Sequence, residues 1–179
     1  MGKYIYRKKT VNDPVEFLSA FKNGYPYAYL EYSKEMEQPL YRYLFDMHQA
    51  DQDALYCIIC MIQEGRGCAK NTETAFKLFF QLANTNYVLA QYELGKCYKN
   101  GVGILKDPYA AAAWLRRAAE QGEARAQYEL AKIYAADSFI SASPETIADL
   151  YKKSATQGIA EAQFELGACY EKGVGVEKE

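Results

Sequence analysis

The sequence predicts an all-α fold, a right-handed solenoid built from helix-turn-helix repeats of 36 residues. Three observations predict it: a fixed period, helix start and stop signals that recur with that period, and apolar residues at helical spacing. Shifted by 36 residues, the chain matches itself at residues 90–94 (AQYEL), 126–130 (AQYEL) and 162–166 (AQFEL). A period of this length indicates stacked supersecondary units. The predicted organisation is an atypical N-terminal helical cap region, 1–50, followed by repeats at 51–86, 87–122, 123–158 and a half repeat at 159–179.

The first helix of the clearest copy is predicted from Tyr87 to Asn100. Its apolar side chains recur at the spacing of one helix face, at positions Ala90, Leu94, Cys97 and Tyr98. The run Gly101-Val102-Gly103 then ends the helix, because glycine permits the backbone angles that close a tight turn.

The second helix of each copy is predicted from its boundaries. Asn71, Asp107 and Ser143 are separated by the period, and each is a strong N-cap residue. Pro108 and Pro144 follow at the first helical position, where a missing N–H costs nothing. The predicted ends tolerate the left-handed conformation that closes a helix, and they are Asn86, Gly122 and Gly158.

These residues resemble the Sel-one-like repeat (SLR) family, which is related to the tetratricopeptide repeat. Its pattern has an A-x-x-x-L-G-x-x-Y first helix, a G-x-G turn, a K-D start and an A-A-x-x-G end. The matching residues are Ala90, Leu94, Gly95, Tyr98, Gly101, Gly103, Lys106, Asp107, Ala118, Ala119 and Gly122. The resemblance is specific over 87–122, good over 159–179, recognisable over 123–158 and faint over 51–86. In the third copy Asp137-Ser138-Phe139 replaces the glycine turn, and the unchanged repeat length predicts a different turn rather than a lost helix.

The first 50 residues lie outside the resemblance. Asp13, Pro14 and Glu16 have the spacing of a capped helix start, and Asn23-Gly24 would end that helix. Eight of the 17 tyrosines of the chain fall in this region. We interpret it as a cap, since the terminal repeats of solenoids are usually atypical.

Charge and composition exclude several classes of partner. A net charge of −2 provides no basic surface, so we expect neither nucleic acid nor a membrane as a partner. The longest apolar run, Ala54 to Ile62, is too short to cross a bilayer. The N-terminus has no apolar signal core, and five cysteines lack the density of a disulfide scaffold. These features predict a cytoplasmic protein with reduced thiols.

Motifs that could carry chemistry are incomplete. Ser19 and Lys22 have the S-x-x-K spacing of serine acyl-transfer enzymes, but the other elements of such sites are missing. Cys57 and Cys60 form one C-x-x-C pair without the further ligands of a zinc site. His48, the single histidine, has no nucleophile or acid at a triad spacing. We therefore expect no catalytic residue, no cofactor and no metal.

Cys97 and Cys169 lie two periods apart at the same predicted core position. Some secreted, cysteine-rich proteins that this chain resembles have been linked to β-lactam binding, and they carry paired cysteines as disulfides. We interpret Cys97 and Cys169 as apolar fillers instead, because a free cysteine packs as a small hydrophobic residue. A hydrolase or β-lactam-binding protein is therefore a remote alternative.

Recognition is expected at first-helix positions that the repeat leaves free, since the resemblance implies that these helices line the concave side. The candidate residues are Tyr92, Glu93, Lys96, Lys99, Tyr128, Glu129, Lys132, Phe164 and Glu171. Two other interpretations stay open: a solvated face with weak i,i+3 pairs such as Glu93 with Lys96, and inter-repeat packing of the aromatic residues. The leading hypothesis is a non-catalytic scaffold or adaptor that binds a protein or peptide on its concave face. The alternative is a bacterial immunity or inhibitor protein that neutralises a toxin.

The C-terminal half repeat is predicted to expose an apolar stripe. Glu179 lies two periods after Asp107, the cap of a second helix, so the last first-helix lacks its partner. The stripe that would then be partly bare consists of Phe164, Leu166, Cys169 and Tyr170. Two expectations follow, a chain that belongs to a longer array or a homodimer formed through this half repeat.

Overall fold

The computed structural model of the chain shows a set of short helices of equal length. It describes residues 4–6, 9–11, 52–65, 69–136, 140 and 142–176. The chain divides into two compact units, Met1–Leu82 and Ala83–Glu179, called here the N-terminal and C-terminal units. The helix predicted from Asp13, the Ser19–Lys22 pair and His48 lie outside the described residues.

The N-terminal unit contains a short antiparallel hairpin and a helix pair. Strand β1 (Tyr4–Tyr6) pairs with β2 (Lys9–Val11), with Ile5 opposite Thr10. Only helices are predicted for residues 1–50, so these strands differ from the prediction; tyrosine, isoleucine, threonine and valine favour strands. Helix α1 (Gln52–Glu64) leads into the start of α2 (Thr72–Asn84), which continues past the boundary of the unit.

The C-terminal unit holds five more helices, and each packs on the next along the chain. They are α3 (Val88–Asn100), α4 (Pro108–Glu120), α5 (Ala124–Ala136), α6 (Pro144–Thr156) and α7 (Ala160–Lys172). In each repeat, α3, α5 or α7 is the first helix, and α4 or α6 is the second. The predicted all-α repeat fold is confirmed.

The predicted helix starts are confirmed by their hydrogen bonds. The Asp107 carboxylate accepts from the amides of Tyr109 and Ala110, both at 3.0 Å. The Ser143 hydroxyl accepts from the Thr146 amide at 3.2 Å. Asn71 makes the equivalent bond at the start of α2, where its side-chain oxygen accepts from the backbone N–H three residues further on. Each cap satisfies a first-turn donor that the helix itself leaves unpaired.

The predicted helix ends are confirmed as well. Asn86, Gly122 and Gly158 have positive φ angles of 66°, 93° and 93°. Gly101, at the end of α3, is also left-handed. The unusual turn at 137–139 lies outside the described residues, and the predicted helices on both sides of it, α5 and α6, are present.

The core of the C-terminal unit lies between first and second helices. Leu94 and Leu130 are 0% and 2% exposed, whereas Leu166 is half-buried. A Cβ added to Gly95 would lie 2.6 Å from Cγ of Leu115, so glycine is what allows α3 and α4 to approach this closely. The predicted apolar role of Cys97 agrees with its burial, at 1% exposed.

A series of hydrogen-bonded glutamine side chains, which we call the glutamine ladder, connects the helices along the chain. Gln127 of α5 donates from Nε2 to the Ala119 carbonyl at the end of α4, at 3.2 Å. Its Oε1 accepts from Nε2 of Gln157, at the end of α6, at 3.0 Å. The ladder consists of Gln91, Gln121, Gln127, Gln157 and Gln163.

Gln91 in the preceding repeat makes both of these kinds of hydrogen bond, and Gln163 in the following repeat makes the one to the preceding second helix. Gln91 donates to the Ala83 carbonyl and accepts from Gln121 at 2.7 Å. Gln163 donates to the Ala155 carbonyl at 3.2 Å. Gln91, Gln127 and Gln163 each bond the second helix of the preceding repeat, whereas Gln121 and Gln157 bond the first helix of their own repeat. The ladder therefore links helices both within and between repeats, and it gives the buried amides of Gln91 and Gln127 the partners they need.

Candidate protein-binding face

One aromatic residue projects from the same position of each first helix, and its exposure differs between helices. Tyr92 of α3 is 8% exposed and belongs to the core cluster of the C-terminal unit. Tyr128 of α5 is half-buried, and its ring lies 6.1 Å from that of Tyr151. Phe164 of α7 is 76% exposed. Inter-repeat packing therefore accounts for Tyr92, whereas the exposed ring of Phe164 is available for contact with a partner protein.

Glu93 and Lys96 of α3 form an ion pair within their own helix. The Lys96 ammonium lies 3.0 Å from the Glu93 carboxylate and 5.0 Å from the centre of the Tyr92 ring. Burial acts to lower the pKa of Lys96, but the hydrogen bond and charge of Glu93 outweigh it, so the pKa is above its ordinary value. Burial also raises the pKa of Tyr92. Lys96 is thus a charged, internally paired residue.

The charges of α5 are arranged differently. Glu129 pairs with Lys99 of the preceding first helix rather than with a lysine of its own helix. Lys132 is exposed and lies 5.1 Å from the centre of the Tyr128 ring. Among the described residues, no carboxylate lies within ion-pair distance of Lys132. Of the predicted lysines, Lys132 is therefore the one whose charge faces solvent without an anionic partner in the described ranges.

The remaining predicted residue, Glu171, is exposed near the end of α7. The structure thus places the nine predicted residues on three successive first helices. It joins four of them in ion pairs, Glu93 with Lys96 and Lys99 with Glu129.

Two features of these helices are absent from the predicted set. The glutamine ladder could have been found from the sequence, because glutamine recurs with the period at Gln91, Gln127 and Gln163. The second feature is Glu165, which stands at the position of Glu93 and Glu129 in the last copy. Comparison of the copies shows that the lysines that pair with Glu93 and Glu129 are replaced by alanine around Glu165.

Among the described residues, no group of three or more histidine, cysteine, aspartate or glutamate side chains could hold a metal ion. Cys57, Cys60, Cys97 and Cys169 form no disulfide bond in the part of the chain that the structure describes. Within the same ranges of the chain, no helix combines the length and apolar character needed to span a bilayer.

Sequence comparison identifies the repeat. A family model described as Sel1 repeat matches residues 54–85, 88–123, 124–159 and 160–179. The chain belongs to the Sel1 repeat family. Sel1 repeats generally serve in protein–protein interaction scaffolds, and the predicted resemblance is confirmed.

Relatives share both sequence and fold with this Sel1 repeat chain. Chitin synthase regulatory factor 3 from Schizosaccharomyces pombe is 43% identical over 61 residues, which cover 32% of this chain and 6% of that protein. The crystal structure of a Sel1 repeat protein from Oxalobacter formigenes superposes with a TM-score of 0.74 and 27% identity, covering 92% of this chain and 64% of the other. A protective antigen of uropathogenic Escherichia coli with an SLR fold gives a TM-score of 0.72 and 26% identity, covering 93% and 38%. This chain therefore spans less than two thirds of each of these relatives.

Proposed function

We propose that this Sel1 repeat chain is a non-catalytic scaffold or adaptor that binds a protein or peptide across its first helices. The observation that carries the proposal is Lys132, an exposed cation stacked on Tyr128 with no carboxylate partner among the described residues. A partner that supplies a carboxylate there would gain an ion pair on a surface already ordered by the aromatic ring. The repeat family supports the class of function.

The exposed aromatic residue of α7 supports the same assignment. Phe164 offers an apolar contact on the helix that follows Lys132 in the first-helix series. Aromatic residues provide much of the binding energy of protein interfaces, and rim charges mainly set specificity and association rate. A scaffold needs this kind of surface and no convergent catalytic group.

Reversal of the charge at Lys132 tests the proposal. Affinity purification with the intact chain, followed by mass spectrometry, identifies captured proteins, and the measurement is repeated with Lys132→Glu. We expect the specifically captured protein to be lost, while the melting temperature stays nearly unchanged because no described carboxylate depends on Lys132.

Lys152→Glu is the matched control, because Lys152 is an exposed lysine on the second helix α6. It makes the same change of net charge outside the proposed face. Equal loss of capture with both variants, or no loss with Lys132→Glu, would contradict the proposal. The homodimer through the C-terminal half repeat and the cytoplasmic location stay predictions.

A further inference from the structure

A cavity of about 330 Å³ opens between the end of α5, the first half of α6 and α7. Its walls are mainly apolar, formed by Ala135, Ile147, Tyr151, Ala168 and Cys169. The carboxylate-bearing residue in this wall is Glu165, and Lys172 lies at the rim with Val174. We call this space the α5–α7 cavity.

Glu165 is the third member of a periodic series whose first two members are paired. Glu93 pairs with Lys96, three residues later on its own helix, and Glu129 pairs with Lys99 of the preceding first helix. Both equivalent positions around Glu165 carry alanine. Ala168 lies three residues later on the same helix, and Ala135 lies on the preceding first helix, one period after Lys99. Both alanines line the cavity. Among the described residues, no lysine or arginine nitrogen lies within ion-pair distance of Glu165.

Two residues of the cavity wall are smaller than their equivalents in the copy before it. One period earlier, Lys132 and Ile133 stand where Ala168 and Cys169 stand in α7. On the opposite wall, α6 carries Tyr151 at the position of Leu115. Helix α7 therefore carries two smaller side chains here, while α6 carries the larger Tyr151.

Glu165 also supplies the negative charge of this wall. Burial raises the pKa of Tyr151 to about 12, and the nearby Glu165 charge acts in the same direction. Burial, together with Glu165, raises the pKa of the Cys169 thiol as well. Both groups are therefore neutral at pH 7, so the half-buried Glu165 side chain faces two uncharged groups across the wall, and partial burial strengthens its attraction for a cation.

We propose that the α5–α7 cavity receives one lysine or arginine side chain of a partner protein. The methylene groups would lie against Ile147 and Tyr151, and the cation would pair with Glu165, replacing the lysines that the other copies supply themselves. Long basic side chains combine an apolar stem with a charged end, which matches an apolar cavity with one carboxylate. The inference rests on the proposed function, since it requires a protein partner, but it concerns a different site from Lys132.

Lys172 is the cation that competes with such a ligand. It lies two helical turns after Glu165 on α7 and is exposed, with no ion pair to Glu165 in the structure. Its charge disfavours a second cation nearby. Lys172→Ala is therefore expected to strengthen binding of a basic peptide.

Methyl NMR of the full chain, with carbon-13 in its alanine methyl groups, tests the proposal directly. The probes are four acetylated and amidated pentapeptides with two glycines on each side of a central arginine, lysine, norleucine or glutamate. We expect the arginine and lysine peptides to shift the methyl signals of Ala135 and Ala168 in a saturable way. The norleucine and glutamate peptides should bind about tenfold more weakly or worse, because they lack the charge-assisted hydrogen bond.

Two substitutions test the contribution of the Glu165 carboxylate and that of the cavity shape separately. Glu165→Gln should weaken the arginine peptide about tenfold or more, and Ala168→Lys should abolish its binding by restoring the lysine of the earlier copies. Glu161→Gln is the control, since it removes one exposed carboxylate from the same helix outside the cavity and should leave binding unchanged. Unchanged methyl signals, equal shifts with the norleucine peptide, or full binding by Glu165→Gln would overturn the proposal.

This experiment and the capture experiment fail independently. Peptide binding that requires Glu165, with no partner lost on Lys132 reversal, would support the cavity and contradict the proposed face. Loss of a partner on Lys132 reversal, with no peptide in the cavity, would contradict this inference alone.

Discussion

Helices α3 and α7 are two copies of one sequence pattern with different surfaces. Both keep the alanine, glutamine, glutamate, leucine, glycine, cysteine and tyrosine of the pattern at matching positions. In α3, Lys96 neutralises Glu93, which is 9% exposed. In α7 the corresponding lysine is Ala168, and Glu165 borders an open cavity. Positions that repeat therefore maintain the fold, whereas a single exchange at a variable position turns a neutral surface into an acidic one.

The largest expected difference between central and terminal copies concerns the core leucine. Leu130→Ala should lower the free energy of unfolding by about 2–5 kcal/mol, because it leaves a cavity at a position that is 2% exposed. Leu166→Ala should cost less than about 2 kcal/mol, since Leu166 is already half-buried. Urea unfolding of both variants measures the difference, and equal small losses would show that the two positions are not the core positions described.

The glutamine ladder provides a second, smaller difference. Gln127→Leu removes the hydrogen bonds to the Ala119 carbonyl and from Gln157, and should cost about 1–3 kcal/mol because each such bond contributes about 0.5–1.5 kcal/mol. Gln163 is exposed and its described bond is to the Ala155 carbonyl, so Gln163→Leu should cost about 0.5–1.5 kcal/mol. Urea unfolding again compares the variants, and a Gln163→Leu loss as large as that of Gln127→Leu would contradict this ranking.

The smallest expected effect comes from restoring the missing lysine. Ala168→Lys places an ammonium three residues after Glu165 and four after Phe164, as Lys96 is placed relative to Glu93 and Tyr92. We expect a gain of about 0.2–0.5 kcal/mol, the usual range for such a helix pair. Thermal unfolding at low and high salt measures it, and Ala168→Met is the control for side-chain size. A gain that is equal for methionine, or independent of salt, would show that the pair does not form.

Most of the fold could be predicted because its signals are local. Caps such as Asp107 and turn residues such as Gly122 act within a few residues of themselves, and their period gives the architecture. The Glu93–Lys96 pair, which belonged to one of the interpretations left open, is equally local and is present in the structure. The strand pair formed by Tyr4–Tyr6 and Lys9–Val11 was not predicted because the repeat pattern does not reach that region, and strand preference there depends on pairing between segments.

The candidate site was less predictable because its contacts join different helices. Lys99 and Glu129 lie 30 residues apart, and nothing in their spacing shows that Glu129 would choose this lysine over Lys132. The exposure of Tyr92 and Phe164 differs although the residues are equivalent in sequence, because it is decided by what packs around each helix. The cavity depends on the sizes of side chains from three helices at once.

The spacing of the ladder bonds also bears on how the chain acquires its structure. Gln121 with Gln91, Gln157 with Gln127, and the Ser154 hydroxyl with the Ala124 carbonyl are each separated by 30 residues. Loop-closure entropy is small for such distances, and nearest-neighbour contacts let repeat arrays nucleate at any unit and propagate. During synthesis the two helices of a repeat can therefore pair as soon as the second helix has left the ribosome, without waiting for distant sequence.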